Sequence, residues 1–254
     1  MAQYGGVPSD PLVARLRAAG CVFAEDEARL LREAAGSPAE LDALAARRVE
    51  GAPLEALLGW AEFCGLRIAV DPGVFVPRQR TAFLVAQAVR RARPGAVVVD
   101  LCCGTGAIGA AIGAAVPDAE VHAADVDPAA VACARRNVPR VYQGDLYAAL
   151  PDRLRGRVDL LVVNAPYVPT AAIATMPPEA RHHEPRVALD GGADGLDVQR
   201  RVAADAPAWL RPGGALLIET GADQAPHTAA LFAAAGLVPE VAHAEDATVV
   251  IGVA

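Results

Sequence analysis

Beyond about Thr81 the chain alternates between two hydrophobic rhythms. Short apolar runs, "AVVVD", "EVHAAD", "VYQGD", "VDLLVVN" and "ALLIET", have the length and bulk of buried strands. Between them lie stretches such as "AIGAAIGAA", "PAAVACARRN" and "QAPHTAALFAAAG", with the composition of packed helices. Strand then helix, repeated, predicts a mainly parallel sheet covered on both faces. The end breaks this rhythm. "LVPEVAH" and "ATVVIGVA" are strand-like runs separated by only a few residues. A parallel crossover needs a dozen residues or more, so these two are expected to pair antiparallel.

The N-terminal segment reads as short helices. Asp10-Pro11 offers an N-cap followed by proline at the first helical position, and Gly20 stops that helix. "EDEARLLREAAG" is a second amphipathic stretch ending at Gly36. "SPAE", Ser37 to Glu40, is a capping box that opens a third helix ending near Gly51. Helices this short are unstable alone, so a small bundle is expected. Within residues 60–76, "LRIAV" and "VFV" flank the turn signal "DPG", which predicts a β-hairpin connecting bundle to sheet. "RRARP", before the first strand of the sheet, reads as a basic helix C-terminus.

Composition narrows the function classes. The 254 residues carry a net charge of −7, so no global basic field draws the chain to nucleic acid. No apolar run has the length of a bilayer span, and the start lacks a signal peptide's basic and apolar regions, so a cytoplasmic enzyme is expected. The five cysteines include no CxxC pair, and no disulfide framework or metal site is expected. There is no lysine, which excludes a Schiff base or a P-loop lysine.

The candidate chemistry begins at "DLCCGTGAIG", Asp100 to Gly109, after the first strand of the sheet. Gly104-x-Gly106-x-x-Gly109 has the form of a dinucleotide fingerprint. Asp125 ends the second strand and is placed to bind ribose hydroxyls, whether of NAD or of S-adenosyl-L-methionine. Asp100 distinguishes them. A fixed carboxylate repels a pyrophosphate and attracts an ammonium or sulfonium, by about 4 kcal/mol at ~4 Å and an effective dielectric near 20. In that frame the loop is D-x-G-x-G-x-G with Cys102 at the first glycine, and Gly109 falls in phase by coincidence. Cys102 and Cys103 read as small buried side chains.

The fourth strand runs into "NAPY", Asn164 to Tyr167. An amide or aromatic-amine nitrogen is a poor nucleophile, because its lone pair is delocalised. Asn164 Oδ1 and the Ala165 carbonyl can each accept one N–H of a planar NH2 group, orienting the nitrogen toward a methyl donor. Pro166 stiffens the turn and Tyr167 can pack on the planar group. "HHE", His182 to Glu184, reads as a solvated or lid-forming segment, and "GGADG", Gly191 to Gly195, as a flexible turn beside the site.

On these residues the chain resembles the HemK family of protein N5-glutamine methyltransferases, which act on the GGQ glutamine of peptide chain release factors. The likeness runs from "GAPLEALLGWAEF" to the C-terminus, through "GVFVPRQRT", "DLCCGTGAIG", "VDLLVVNAPYVP", "HEPRVALDGGADGLDVQRRV" and "LRPGGALLIETGADQ". It implies a Rossmann-like class I methyltransferase sheet with an antiparallel C-terminal strand (81–254), preceded by a helical substrate-recognition bundle (1–59) and a β-hairpin linker (60–80). It implies S-adenosyl-L-methionine as cofactor, against Asp100, Cys102, Gly104, Thr105, Gly106, Asp125, Asp145 and Asn164. Asp145 would accept from the adenine amino group. Asn164, Ala165, Pro166 and Tyr167 would hold the acceptor amide of a protein substrate, a release factor, with neither membrane nor nucleic acid involved. Cys102 departs from the family's glycine, Ala165 from its proline, and Gln79 and Arg80 from its Pro and Glu. An adenine-N6 methyltransferase, an NAD(P)-dependent oxidoreductase and a non-catalytic cofactor-binding protein are the competing readings.

Overall fold

A computed structural model describes residues 10–177, 181 and 183–254. Three predicted helices open the chain: α1 (Pro11–Ala18), α2 (Ala24–Ala34) and α3 (Pro38–Val49). Asp10 caps α1, accepting from Leu12 N at 3.0 Å. Ser37 caps α3, accepting from Glu40 N at 3.2 Å, while the Glu40 carboxylate reaches one residue further back than a standard box, to Gly36 N at 2.8 Å. A fourth helix, α4 (Leu54–Leu58), is too short to carry a periodic signal and was not expected. Leu16, Ala24, Ala28 and Leu31 form the bundle core, joined by Leu54, Leu57 and Leu58 of α4.

A hairpin follows, displaced from its predicted position. Its strands are β1 (Trp60–Phe63) and β2 (Leu66–Ala69), joined at Cys64 and Gly65. Both turn residues have positive φ, 51° and 75°, which is the two-residue turn that matches strand twist. The "DPG" turn does form, with Val74 N donating to Asp71 O at 3.1 Å, but "VFV" does not pair as a strand. Its valines are taken up elsewhere: Val74 packs on Ala130 and Cys133, and Val76 on Ala61 and Val70.

The rest is a seven-stranded sheet in the order β5-β4-β3-β6-β7-β9-β8. The strands are β3 (Val97–Leu101), β4 (Glu120–Asp125), β5 (Val141–Gln143), β6 (Val158–Val163), β7 (Leu210–Thr220), β8 (Val238–His243) and β9 (Thr248–Val253). Neighbours from β5 to β7 pair parallel, and β9 pairs antiparallel with both β7 and β8, as the short connection requires. The helices are α5 (Ala82–Arg91), α6 (Ala107–Ala115), α7 (Pro128–Ala134), α8 (Asp197–Asp205) and α9 (Ala225–Ala234). Alternate strand residues feed opposite layers. Val98, Ala123, Leu160, Val162 and Leu217 meet α5 and α6, while Val99, Leu101, Leu161, Val163 and Leu216 meet α8 and α9. Each buried valine or leucine here contributes about 1.5–3 kcal/mol. The parallel arrangement sets the loops after β3, β4, β5 and β6 side by side at one edge, where doubly wound sheets bind ligands.

Candidate active site

At that edge lies a cavity of about 480 Å³, within the range of small-molecule sites. Its wall includes Cys102, Gly104, Thr105, Asp125, Asp145, Asn164, Ala165, Pro166 and Tyr167, brought from four separate loops. Asp100 and Gly106, singled out with them, are not on the wall.

The glycine loop turns from β3 into α6 through three residues with positive φ: Cys102 at 56°, Gly104 at 54° and Gly106 at 75°. A Cβ on Gly104 would meet nothing within 4 Å, so the backbone here borders open space. A Cβ on Gly106 would lie 3.0 Å from Val138 Cγ2, so this glycine serves the packing of α6 on the end of α7. Gly109 has a reason of its own, contrary to the reading of coincidence. A Cβ there would lie 3.2 Å from both Asp100 Oδ2 and Val121 Cγ1, so glycine lets α6 close on the sheet. Asn137 fixes the loop from outside, donating to Thr105 O at 2.8 Å and to Ala69 O of β2 at 3.0 Å.

Two carboxylates sit under and beside this loop. Asp125 Oδ2 accepts from Gly104 N at 2.8 Å and Oδ1 from Asp127 N at 2.9 Å. Burial raises its pKa, against the pull of these backbone donors. Asp100 is fully buried; Oδ2 accepts from Gly109 N at 2.9 Å and Oδ1 has no hydrogen bond. Burial holds its pKa well above the usual carboxylate range, with Asp125 adding to the effect. The Cys102 and Cys103 thiols are likewise pushed up by burial and by these two carboxylates, so neither is a reactive thiolate at neutral pH. Carboxylate and backbone acceptors therefore gather at the β3–β4 end, which suits a positively charged nucleoside ligand.

Asp145 borders the same end, and its Oδ2 is held by Arg201 Nη2 of α8 at 2.7 Å. At the other end, Asn164 follows β6 directly. Its Nδ2 donates to Thr81 Oγ1 at 3.4 Å, and its Oδ1 can only accept. Thr81 is buried at the entrance to α5. The Tyr167 hydroxyl accepts from Arg80 Nη2 at 2.8 Å and lies 3.5 Å from Glu219 Oε1 near the end of β7. Burial and the Glu219 charge raise the Tyr167 pKa. Arg78 Nη2 pairs with Glu184 Oε1 at 2.5 Å, tying the start of "EPRVALD" to the cavity rim. His182 lies outside the described residues.

Sequence reasoning missed several of these partners. Arg80 and Thr81 fell inside a noted segment, "GVFVPRQRT", but their contacts to Tyr167 and Asn164 join positions far apart in sequence. Arg201, Glu219 and Gln224 also fell inside noted segments, "HEPRVALDGGADGLDVQRRV" and "LRPGGALLIETGADQ", but nothing in those segments singled them out. The "GGADG" turn, read as flexible, is packed: a Cβ on Gly195 would lie 2.2 Å from Tyr167 O.

This fold, with a cavity at the carboxyl edge lined by a glycine loop, two strand-end carboxylates and an Asn-x-Pro-Tyr turn, is that of an S-adenosyl-L-methionine-dependent methyltransferase. Residues 65–178 match the family model Methyltransferase small domain. A methyltransferase from Pyrococcus furiosus has the same fold, with a TM-score of 0.56 at 17% identity over 74% of this chain and 89% of that one. Release factor glutamine methyltransferase of Geobacter sulfurreducens is 42% identical, over 79% of this chain and 72% of its own length. The Deinococcus radiodurans enzyme of the same name is 40% identical, over 93% and 87%. A 4-amino-L-phenylalanine/4-methylamino-L-phenylalanine methyltransferase of Streptomyces pristinaespiralis is 39% identical, over 75% and 68%. The chain belongs to the release factor glutamine methyltransferase family.

Proposed function

We propose that this enzyme methylates the side-chain amide nitrogen of the GGQ glutamine in a peptide chain release factor. The observation that carries the reading is the placement of Asn164. It stands at the end of β6 on the cavity wall, its Nδ2 engaged by Thr81 and its Oδ1 available to accept an amide N–H. The Ala165 carbonyl beside it supplies the second acceptor. Two adjacent acceptors suit the two N–H bonds of a planar NH2 group, and they stabilise the positive charge that develops on its nitrogen. Pro166 restricts the turn, and Tyr167, with its hydroxyl fixed by Arg80, covers one side of the acceptor.

At the other end, Asp125 would hold the ribose hydroxyls and Asp145 the adenine amino group, with Cys102, Gly104 and Thr105 bordering the methionine portion. Asp100 acts from beneath the loop, through Gly109 and the local field, and Gly106 through the loop's shape. Bound S-adenosyl-L-methionine supplies an electrophilic methyl, and the nitrogen–carbon bond forms as the carbon–sulfur bond breaks. The surplus proton then leaves the nitrogen for water, which requires no strong base on the wall.

The test is methyl transfer from labelled S-adenosyl-L-methionine to release factor, and to the same protein with its GGQ glutamine replaced by alanine. Label is expected in the first only. Equal labelling of both, or transfer to 4-amino-L-phenylalanine and not to release factor, would overturn the reading.

A further inference from the structure

The Asn164–Tyr167 turn is held from behind by a chain of side-chain hydrogen bonds that begins in the core. Thr228 Oγ1 on α9 donates to Gln199 Oε1 on α8 at 2.7 Å. Gln199 Nε2 donates to Thr220 Oγ1, at the end of β7, at 3.0 Å. Thr220 Oγ1 donates to Gln224 Oε1 at 3.3 Å, and Gly221 N donates to the same oxygen at 3.1 Å. Gln224 Nε2 then donates to Tyr167 O at 2.9 Å and to Asp194 O at 3.0 Å. Gln199, Thr220 and Thr228 are buried, so the bonds among them are protected from water, while Gln224 carries the chain out to the half-buried turn.

The donors run in one direction along this chain. Gln224 spends both amide hydrogens on two carbonyls, and its carbonyl oxygen is fixed by two donors, so its orientation is determined from both sides. Gly195 allows the approach. A Cβ there would lie 2.3 Å from Gln224 Nε2 and 2.2 Å from Tyr167 O. The turn it holds contains the two acceptors for the substrate amide, and an error of about an ångström at such a site costs on the order of 100-fold in rate.

We infer that Gln224 is a positioning residue for methyl transfer: it clamps the Tyr167 carbonyl and keeps the Asn164 and Ala165 acceptors in line with the acceptor amide. Its kinetic consequence rests on the reaction proposed above, and its mechanical consequence does not. Gln224→Met keeps the side-chain length without the hydrogen bonds. Gly195→Ala keeps the Gln224 side chain but places a Cβ against both partners of the contact, Tyr167 O and Gln224 Nε2, so Gln224→Met is the variant that isolates the clamp.

Hydrogen–deuterium exchange and kinetics test the inference together. Both variants are expected to speed amide exchange in residues 164–168 by tenfold or more, leaving residues 102–107 unchanged. S-adenosyl-L-methionine should bind within about twofold of wild type while kcat on release factor falls tenfold or more. Unchanged exchange at 164–168 would overturn the inference even if wild type proves to act on another acceptor. A parallel loss of cofactor affinity and turnover, or unchanged kcat with faster exchange, would overturn it as well.

Discussion

Replacing Asp125 by asparagine removes the charge at the proposed cofactor end of the cavity. In the free protein this carboxylate already accepts two backbone N–H bonds, from Gly104 at 2.8 Å and Asp127 at 2.9 Å. On the proposed reading, a ribose diol would add two more. Hydrogen bonds to a charged group contribute about 1.5–3 kcal/mol and neutral ones about 1 kcal/mol, so neutralisation costs about 1–4 kcal/mol over two hydroxyls. That is about 5- to 1,000-fold in Kd, read by calorimetric titration with S-adenosyl-L-methionine. Folding also suffers modestly: removing a buried charge is favourable, but the asparagine amide offers one oxygen to two backbone N–H donors and leaves one of them unpaired. At about 1–3 kcal/mol for that loss, Tm is expected to fall by a few degrees. The pH dependence follows with the same sign. Ligand held by the carboxylate lowers its pKa, so wild-type affinity is full above the raised value of the free protein and falls as pH drops through it. Asp125→Asn lacks that dependence. A Kd within twofold of wild type, or a pH dependence of affinity retained by Asp125→Asn, would refute the reasoning.

Asn164→Ala should bind the cofactor normally and lose about 100- to 1,000-fold in kcat, and unchanged turnover would refute its role. Thr81→Val, which frees Asn164 Nδ2, should lose about tenfold in kcat with cofactor binding intact in the same assay. Asp100→Asn should alter the pH dependence of stability. Its raised folded pKa means that the favourable contribution is present below the unfolded value, about 3.9, and is lost as pH rises through the folded one. The variant's Tm relative to wild type should therefore increase from acid to neutral pH, and a constant difference contradicts this. Gly106→Ala should lower Tm more than Gly104→Ala, because its Cβ meets Val138 at 3.0 Å while that on Gly104 meets nothing within 4 Å. The order should reverse for cofactor affinity, and the opposite ranking in either measurement is contrary to the account.

What could be read from sequence was what local chemistry encodes. The strand runs announced the sheet because parallel strands bury both faces and need continuous apolar residues. "NAPY" and the aspartate-led loop announced the site because their residue types are unusual at strand ends. The hairpin was misplaced because "DPG" outweighs Cys64-Gly65 as a turn signal, although only the latter pair takes the positive φ angles that a tight hairpin needs. The supports of the site were invisible for a different reason. Thr81 with Asn164, Arg80 with Tyr167 and Gln224 with Tyr167 join residues 83, 87 and 57 apart in sequence. Only the closed sheet brings them together. Asp100 was legible as an acid but not as a buried one, and its place beneath the loop depends on how closely Gly109 lets α6 approach.

The central claim is that the acceptor is a planar amide held by Asn164 and Ala165. Tandem mass spectrometry of release factor after incubation with enzyme and S-adenosyl-L-methionine tests it most directly. The account predicts a single added methyl on the side-chain nitrogen of the GGQ glutamine, absent with the Asn164→Ala enzyme. A methyl on any other atom, or the same product from the Asn164→Ala enzyme, would contradict it.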